Sequence, residues 1–196
     1  MYSGDPAALE VLRGRRVAVG VGGGIAAYKM AAVVSTLAQA GCETHVLMTE
    51  AAQRFVTPLT FEALAGRAVH TSVWEQADRS DPQHIRLART VEILLIAPCT
   101  MDLLAKLVTG QAEDPVTLLA ASIDRAITPV LLAPSMNEVM WHQPATQRNL
   151  RQAESDGFRV LAPGSGWQAC RTVGAGRLPE PDQLVEAMAR AVAERR

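Results

Sequence analysis

The sequence predicts an α/β domain, a doubly wound parallel sheet with helices on both faces. Three observations carry this. Short apolar runs rich in Val, Ile and Leu alternate along the chain with longer stretches of helical period. The runs are apolar enough to be buried on both sides, as strands of a covered parallel sheet are. A glycine run follows the first of them and opens a helix. Right-handed crossovers then set the topology, and ligands of such sheets collect beyond the carboxyl ends of the strands.

Taken in order, residues 1–14 read as an N-terminal arm before a single domain that occupies 1–196. "RVAVGV" (Arg16 to Val21) is the first strand, followed by Gly22-Gly23-Gly24 and a helix through about Ala40. "THVLMT" (Thr44 to Thr49) is the second strand, and "FVTPLTFEALAG" a short helix ending near Gly66. "DPQHIRLART", with His84, is a turn-like entry to the third strand, "VEILLIAP" (Val91 to Pro98). A helix from Asp102 to about Gly110 comes next. "AITPVLLAP" (Ala126 to Pro134) and "FRVLAP" (Phe158 to Pro163) are the fourth and fifth strands. The closing helix, Asp182 to Arg196, spaces Leu184, Val185, Met188, Ala191 and Val192 along one face.

With 196 residues the chain is long enough for a substantial core. At 48% hydrophobic but 4% aromatic, that core rests on aliphatic side chains. A net charge of −1 argues against nucleic acid as a partner. The one short basic cluster, Arg13-Gly14-Arg15-Arg16, precedes an apolar strand and marks surface before the core begins. No apolar run reaches bilayer length, the N-terminus lacks the pattern of a secretory signal, and nothing suggests a membrane partner. Cys42, Cys99 and Cys170 are far apart and odd in number, so neither a disulfide framework nor a metal site is expected. A cytoplasmic protein with reduced thiols is the expectation.

The segments after the strands hold the candidate site. Gly22, Gly23 and Gly24 let a backbone approach a bound group, and the helix start offers N–H donors to a phosphate; a tight strand-to-helix turn is the plain alternative. Thr49 caps the next helix or donates its hydroxyl to a phosphate, and a mononucleotide fits at least as well as a dinucleotide. Thr100 or Asp102 caps the helix after the third strand, or lines a flavin or phosphate. After the fourth strand, Asn137 stands between Met136 and Met140-Trp141, either as a helix cap or as an amide donor to a ligand. Cys170 lies among Gly164, Gly166, Gly174 and Gly176, as in a loop that closes over a site.

In this order "GVGGGIAAYK", "HIRL", "APCTMDLLAK", "PSMNEVMW" and "GWQACRTVGAGRLPEP" resemble segments of the flavin-dependent cysteine decarboxylases, most closely those acting on phosphopantothenoylcysteine in coenzyme A biosynthesis. The likeness runs from about Arg16 to Pro181, and the "PSMNEVMW" match is the most specific. It implies a Rossmann-like flavoprotein fold with FMN as cofactor. FMN would be held by Gly23, Gly24 and Ile25, with Thr49, Phe55, Thr100, Met101, Asp102, Leu103 and Ala133. It implies His84 as acid/base or thiol-positioning group, Asn137 with Met136 and Met140 for the substrate, and Cys170 as proton donor on a mobile flap of about 164–181. Cys99 and Met101 depart from the commonest Ser-Ala-Asn-Thr form, and Arg171 stands where glycine is usual. The implied reaction oxidises the thiol-bearing carbon to a thioaldehyde, releases CO2 and re-reduces the ene-thiolate, giving 4′-phosphopantetheine. The alternative is that this chain is itself an oxidative decarboxylase of a peptide C-terminal cysteine in natural-product biosynthesis, which leaves an oxidised ene-thiol. Relatives of that kind commonly lack the proton-donating cysteine. The resemblance further implies a homotrimer, or a multiple of it, with flavin at the subunit interface.

Overall fold

The computed structural model of the chain describes residues 2–74, 82–167, 171 and 173–194. Five strands form one parallel sheet: β1 (Arg16–Val21), β2 (Glu43–Met48), β3 (Ile93–Cys99), β4 (Val130–Pro134) and β5 (Arg159–Val160), in the order β2-β1-β3-β4-β5. This is the doubly wound order, with the sequence reversing direction between β1 and β3. In-phase pairing sets Val17 beside Thr44 and Ile93, and Leu95 beside Leu131.

Alternation along each strand divides the core in two. Val17, Val19 and Val21 point to one face with Val46, Met48, Ile93, Leu95 and Leu131. Helices α1 (Pro6–Leu12), α2 (Lys29–Gln39), α3 (Pro58–Ala65) and, at the end of the chain, α9 (Pro181–Ala193) cover that face. Ala18, Leu47, Leu94, Ile96, Val130 and Leu132 point the other way, under α4 (Gln83–Thr90), α5 (Met101–Val108), α6 (Pro115–Ser122) and α8 (Pro144–Ser155). Burying each of the Val, Leu, Ile and Met side chains among these contributes about 1.5–3 kcal/mol. The strands can therefore be apolar throughout because neither face meets water.

Several elements depart from the sequence-based expectation. The segment expected as an arm contains α1, started by Asp5, whose carboxylate accepts from Ala7 N–H at 2.9 Å, and packed on α9. The expected turn around His84 is helix α4, with His84 its second residue. Helix α6 begins with a capping box: Asp114 accepts from Thr117 N–H at 3.1 Å, and Thr117 Oγ1 accepts from Asp114 N–H at 3.3 Å. In α8, Thr146, Leu150 and Ala153 supply a buried stripe. The end of α3 falls as expected on Gly66, whose φ of 67° is left-handed. After β5 the chain leaves the sheet in an antiparallel hairpin, β6 (Gly164–Trp167) and β7 (Val173–Arg177).

At the β2 edge, Glu43 accepts from Arg16 Nε at 3.0 Å and from Arg67 at 2.9 Å. Burial, reinforced by the Arg67 charge, pushes the His45 imidazole down to about 4. It is therefore neutral at physiological pH and accepts from Arg67 at 3.2 Å rather than forming an ion pair with Glu43.

Candidate functional site

The carboxyl ends of β1, β2 and β3 surround a cleft of about 650 Å³, lined among others by Gly23, Thr49, Thr100, Asp102 and Leu103. At Gly22 and Gly23 the glycine loop passes so close to its neighbours that side chains are excluded. A Cβ on Gly22 would strike the Pro98 carbonyl oxygen, and one on Gly23 would lie 2.9 Å from the Ala51 carbonyl carbon. A 3-10 turn, Ile25–Tyr28, follows, and the amides of Gly23, Ile25 and Ala26 have no backbone acceptor among the described residues. Two hydroxyls join these amides. Thr49 Oγ1 accepts from Ala52 N–H and Thr100 Oγ1 from Leu103 N–H, both at 3.2 Å. Each hydroxyl accepts from a backbone N–H, so its proton remains available to an anion.

The charges of the cleft favour neutral donors over lysine. Lys106 is held by Glu113 at 2.9 Å and by Asp102 at 3.4 Å. Asp102 is thereby an ion-pair partner as well as a lining residue, while Thr100 is the cap of α5. Arg54 lines the cleft without an ion pair among the described residues. Of the other residues expected at a cofactor, Gly24 is the N-cap of the 3-10 turn and Met101 begins α5. Ile25 and Phe55 are exposed at 58% and 48%, whereas Ala133 is fully buried in the core, so its side chain serves packing.

Asn137 is the N-cap of α7 (Glu138–Trp141). Its Oδ1 accepts from Met140 N–H at 2.9 Å, so the amide NH2 is left to donate outward. Helix α8 fixes α7: Thr146 Oγ1 and Gln147 Nε2 donate at 2.7 Å to the carbonyls of Met140 and Trp141. The hairpin lies on the same segment. Met136 N–H donates to Gly176 O at 3.0 Å, and a Cβ on Gly174 would meet the Glu138 carboxylate. Cross-strand neighbours Trp167 and Val173 leave an apolar pair exposed at 63% and 66%. Arg171, where glycine was expected from the resemblance, has φ 65°, the left-handed region in which glycine is free and other residues are strained by about 1–2 kcal/mol. Cys170 lies outside the described residues.

His84 does not share this cleft within the chain. It lines a small separate cavity with His70, Ser72 and Gln83. Burial lowers the pKa of His70, which bonds Gln83 through one ring nitrogen and leaves Nε2 without a partner among the described residues. Cys99, at the end of β3, is fully buried and its thiol is pushed up to about 12, which makes it packing rather than reagent. Among the described residues no cluster of three metal-ligating side chains occurs, and no helix is long and apolar enough to cross a membrane.

Sequence reasoning missed Arg54, Lys106 and His70 as lining residues, and Lys29 with Glu180 behind the glycine loop. Lys29 left a signal: it falls in phase with Val33 and Leu37 on the buried stripe of α2, where a lysine needs a partner.

A parallel sheet with close-packed glycines, free amides and capping hydroxyls at its carboxyl edge defines a phosphate-binding α/β domain of the nucleotide-binding kind. Comparison with known proteins agrees. The family model described as Flavoprotein matches residues 7–193, and the chain belongs to that family. It is 40% identical over 177 residues to a coenzyme A biosynthesis bifunctional protein of Vibrio vulnificus, covering 90% of this chain and 43% of that one. The chain thus spans less than half the length of that relative. A cysteine-to-serine mutant of a PPC decarboxylase, complexed with pantothenoylaminoethenethiol, superposes with a TM-score of 0.81 at 26% identity, covering 93% of this chain and all of that one. The FMN-dependent cysteine decarboxylase SpaF gives 0.78 at 29% identity, covering 93% and 99%.

Proposed function

We propose that this chain is an FMN-dependent carboxy-lyase that converts 4′-phosphopantothenoylcysteine into 4′-phosphopantetheine. The cleft suits the phosphate end of FMN: Gly23, Ile25 and Ala26 offer amides, Thr49 and Thr100 hydroxyls. Bound FMN supplies two-electron oxidation of the thiol-bearing carbon, which creates the electron sink for CO2 loss.

The observation that carries the reading is Asn137. Its carbonyl oxygen is engaged by Met140 N–H, so its NH2 is oriented to bind a carboxylate without carrying charge. An arginine there would hold the carboxylate more tightly in the ground state and oppose its departure. Met136 and Met140 flank this amide in sequence and are proposed to pack against bound flavin and substrate. His84 is proposed as the group that takes or positions the thiol proton. Cys170 is proposed to return a proton to the ene-thiolate, with residues 164–181 as the flap that carries it.

His84 and the phosphate cleft have no lining residue in common, and Ile25, Tyr28, Phe55 and Leu59, on the segments beside the glycine loop, are apolar and exposed at 48–70%. Both facts support a homotrimer, or multiples of it, in which a neighbouring copy covers the flavin. Cys42 and Cys99 are free thiols, in keeping with the cytoplasm.

The test is incubation of the FMN-loaded protein with phosphopantothenoylcysteine and, separately, with a peptide ending in cysteine, following CO2 and product mass. Phosphopantetheine from the first is the expected result. Turnover of the peptide alone would replace this reading with peptide modification. Cys170→Ser is expected to release CO2 yet accumulate the oxidised ene-thiol; normal phosphopantetheine yield would defeat the role given to Cys170.

A further inference from the structure

Lys29 is the first residue of α2, directly after the glycine loop and its 3-10 turn. Its side chain is 9% exposed, and its ammonium donates to Glu180 Oε1 at 3.0 Å and to the Leu178 carbonyl at 3.4 Å. Leu178 and Glu180 lie just beyond β7, at the root of the hairpin. Glu180 also accepts from Arg177 of β7 at 2.7 Å and caps α9, with its own N–H donating to Gln183 Oε1 at 2.9 Å. One buried cation therefore ties together three parts: the helix behind the phosphate cleft, the outgoing strand of the hairpin and the start of α9. The hairpin is also tied to the segment after β4, where Met136 N–H donates to Gly176 O, one residue from Asn137.

Stability alone does not call for a lysine here. A buried ion pair offers little over apolar residues of the same shape, because desolvating the charges offsets their attraction. Methionine would fill the α2 stripe without that cost. What the pair adds is direction: an ammonium with a carboxylate and a carbonyl as fixed acceptors accepts only one register of the β7 root.

We propose that Lys29 is a positioning residue that sets the β6–β7 hairpin relative to the glycine loop and Asn137, and so governs the second half of the reaction, in which the decarboxylated intermediate becomes the saturated thiol. This rests on the function proposed above. Lys29 lines neither the cleft nor the His84 cavity. It acts through Leu178 and Glu180.

The test compares FMN-loaded wild type with Lys29→Met and with the neutral pair Lys29→Met/Glu180→Gln. Lys29→Met leaves Glu180 half-exposed and still beside Arg177, so no buried charge is stranded. Two quantities are read: hydrogen exchange of the hairpin amides, and the share of saturated thiol in the product. Both variants are expected to bind FMN as wild type does and to release CO2. Hairpin exchange should be faster, and the saturated share should fall several-fold in favour of ene-thiol. Unchanged hairpin protection overturns the inference, as does a product share that stays at the wild-type value while protection falls. If wild type makes no phosphopantetheine at all, the proposed function fails instead, and exchange alone decides whether Lys29 holds the hairpin.

Discussion

Alanine at Gly23 and, separately, at Gly24 tests whether the loop cradles a phosphate. The two positions are adjacent but not equivalent. A Cβ on Gly23 would lie 2.9 Å from the Ala51 carbonyl carbon and 3.1 Å from its Cα, and closer still to its methyl. Carbon atoms settle at about 3.5–4.0 Å, and the obstruction is largely backbone, so the loop would retreat by about 1 Å. On Gly24 the Cβ would lie 3.5 Å from Thr100 Cγ2 and 3.7 Å from Pro98 Cγ, and the φ of −139° suits any residue. A retreat of about 1 Å stretches an N–H···O bond from about 2.9 Å to beyond the range of a hydrogen bond. Each bond to a charged acceptor is worth about 1.5–3 kcal/mol, or roughly 10- to 150-fold in affinity. Gly23→Ala should therefore weaken FMN binding by at least one such factor, and Gly24→Ala only a few-fold. Fluorescence titration of apoprotein with FMN reads the effect, with thermal melts of the apo forms as the check on folding. Equal losses in the two variants, or wild-type affinity for Gly23→Ala, would refute the reasoning.

Asn137 serves as cap and as proposed donor, and two substitutions separate these. Asn137→Asp keeps the cap, so its melting temperature should match wild type while decarboxylation collapses, because carboxylate would face carboxylate. Asn137→Ala should lose both, with about 1 kcal/mol of stability lost with the cap; an active Asn137→Asp enzyme would remove the amide from the site. For pH, the folded His45 pKa of about 4 lies below its ordinary 6.5, so the unfolded chain takes up the proton first as pH falls. Stability should be intact above about 6.5 and be lost progressively toward about 4, and His45→Gln should flatten that part of the melting profile; parallel profiles would contradict it. Burial pushes the Cys42 and Cys99 thiols up to about 11 and about 12, so iodoacetamide at neutral pH should modify neither in the native protein. A carbamidomethylated native peptide containing either residue, found by mass spectrometry, would contradict the suppressed ionisation of these thiols.

What the sequence made legible follows from how locally each feature is encoded. The sheet strands announce themselves because burial on both faces leaves Ile93 to Ile96 or Val130 to Leu132 without a polar interruption. Helices α6 and α8 carry their instructions in single residues, the Asp114 cap and the Thr146-Leu150-Ala153 stripe, and a reading attentive to apolar runs passes over them. His84 shows a different limit. Its neighbours "HIRL" pointed to function, but whether it meets the glycine cleft depends on where α4 packs beside α6 on the sheet, a long-range fact absent from eight residues of helix. Arg171 was legible as a departure, and the structure supplies its physical content: a left-handed φ that a glycine would adopt freely. Lys29 is the most instructive. Its partner Glu180 lies 151 positions later, so no spacing rule links them. Yet a lysine in phase with a buried stripe already states that a counter-charge must arrive from elsewhere in the chain, because the cost of burying it alone is larger than any local preference could offset.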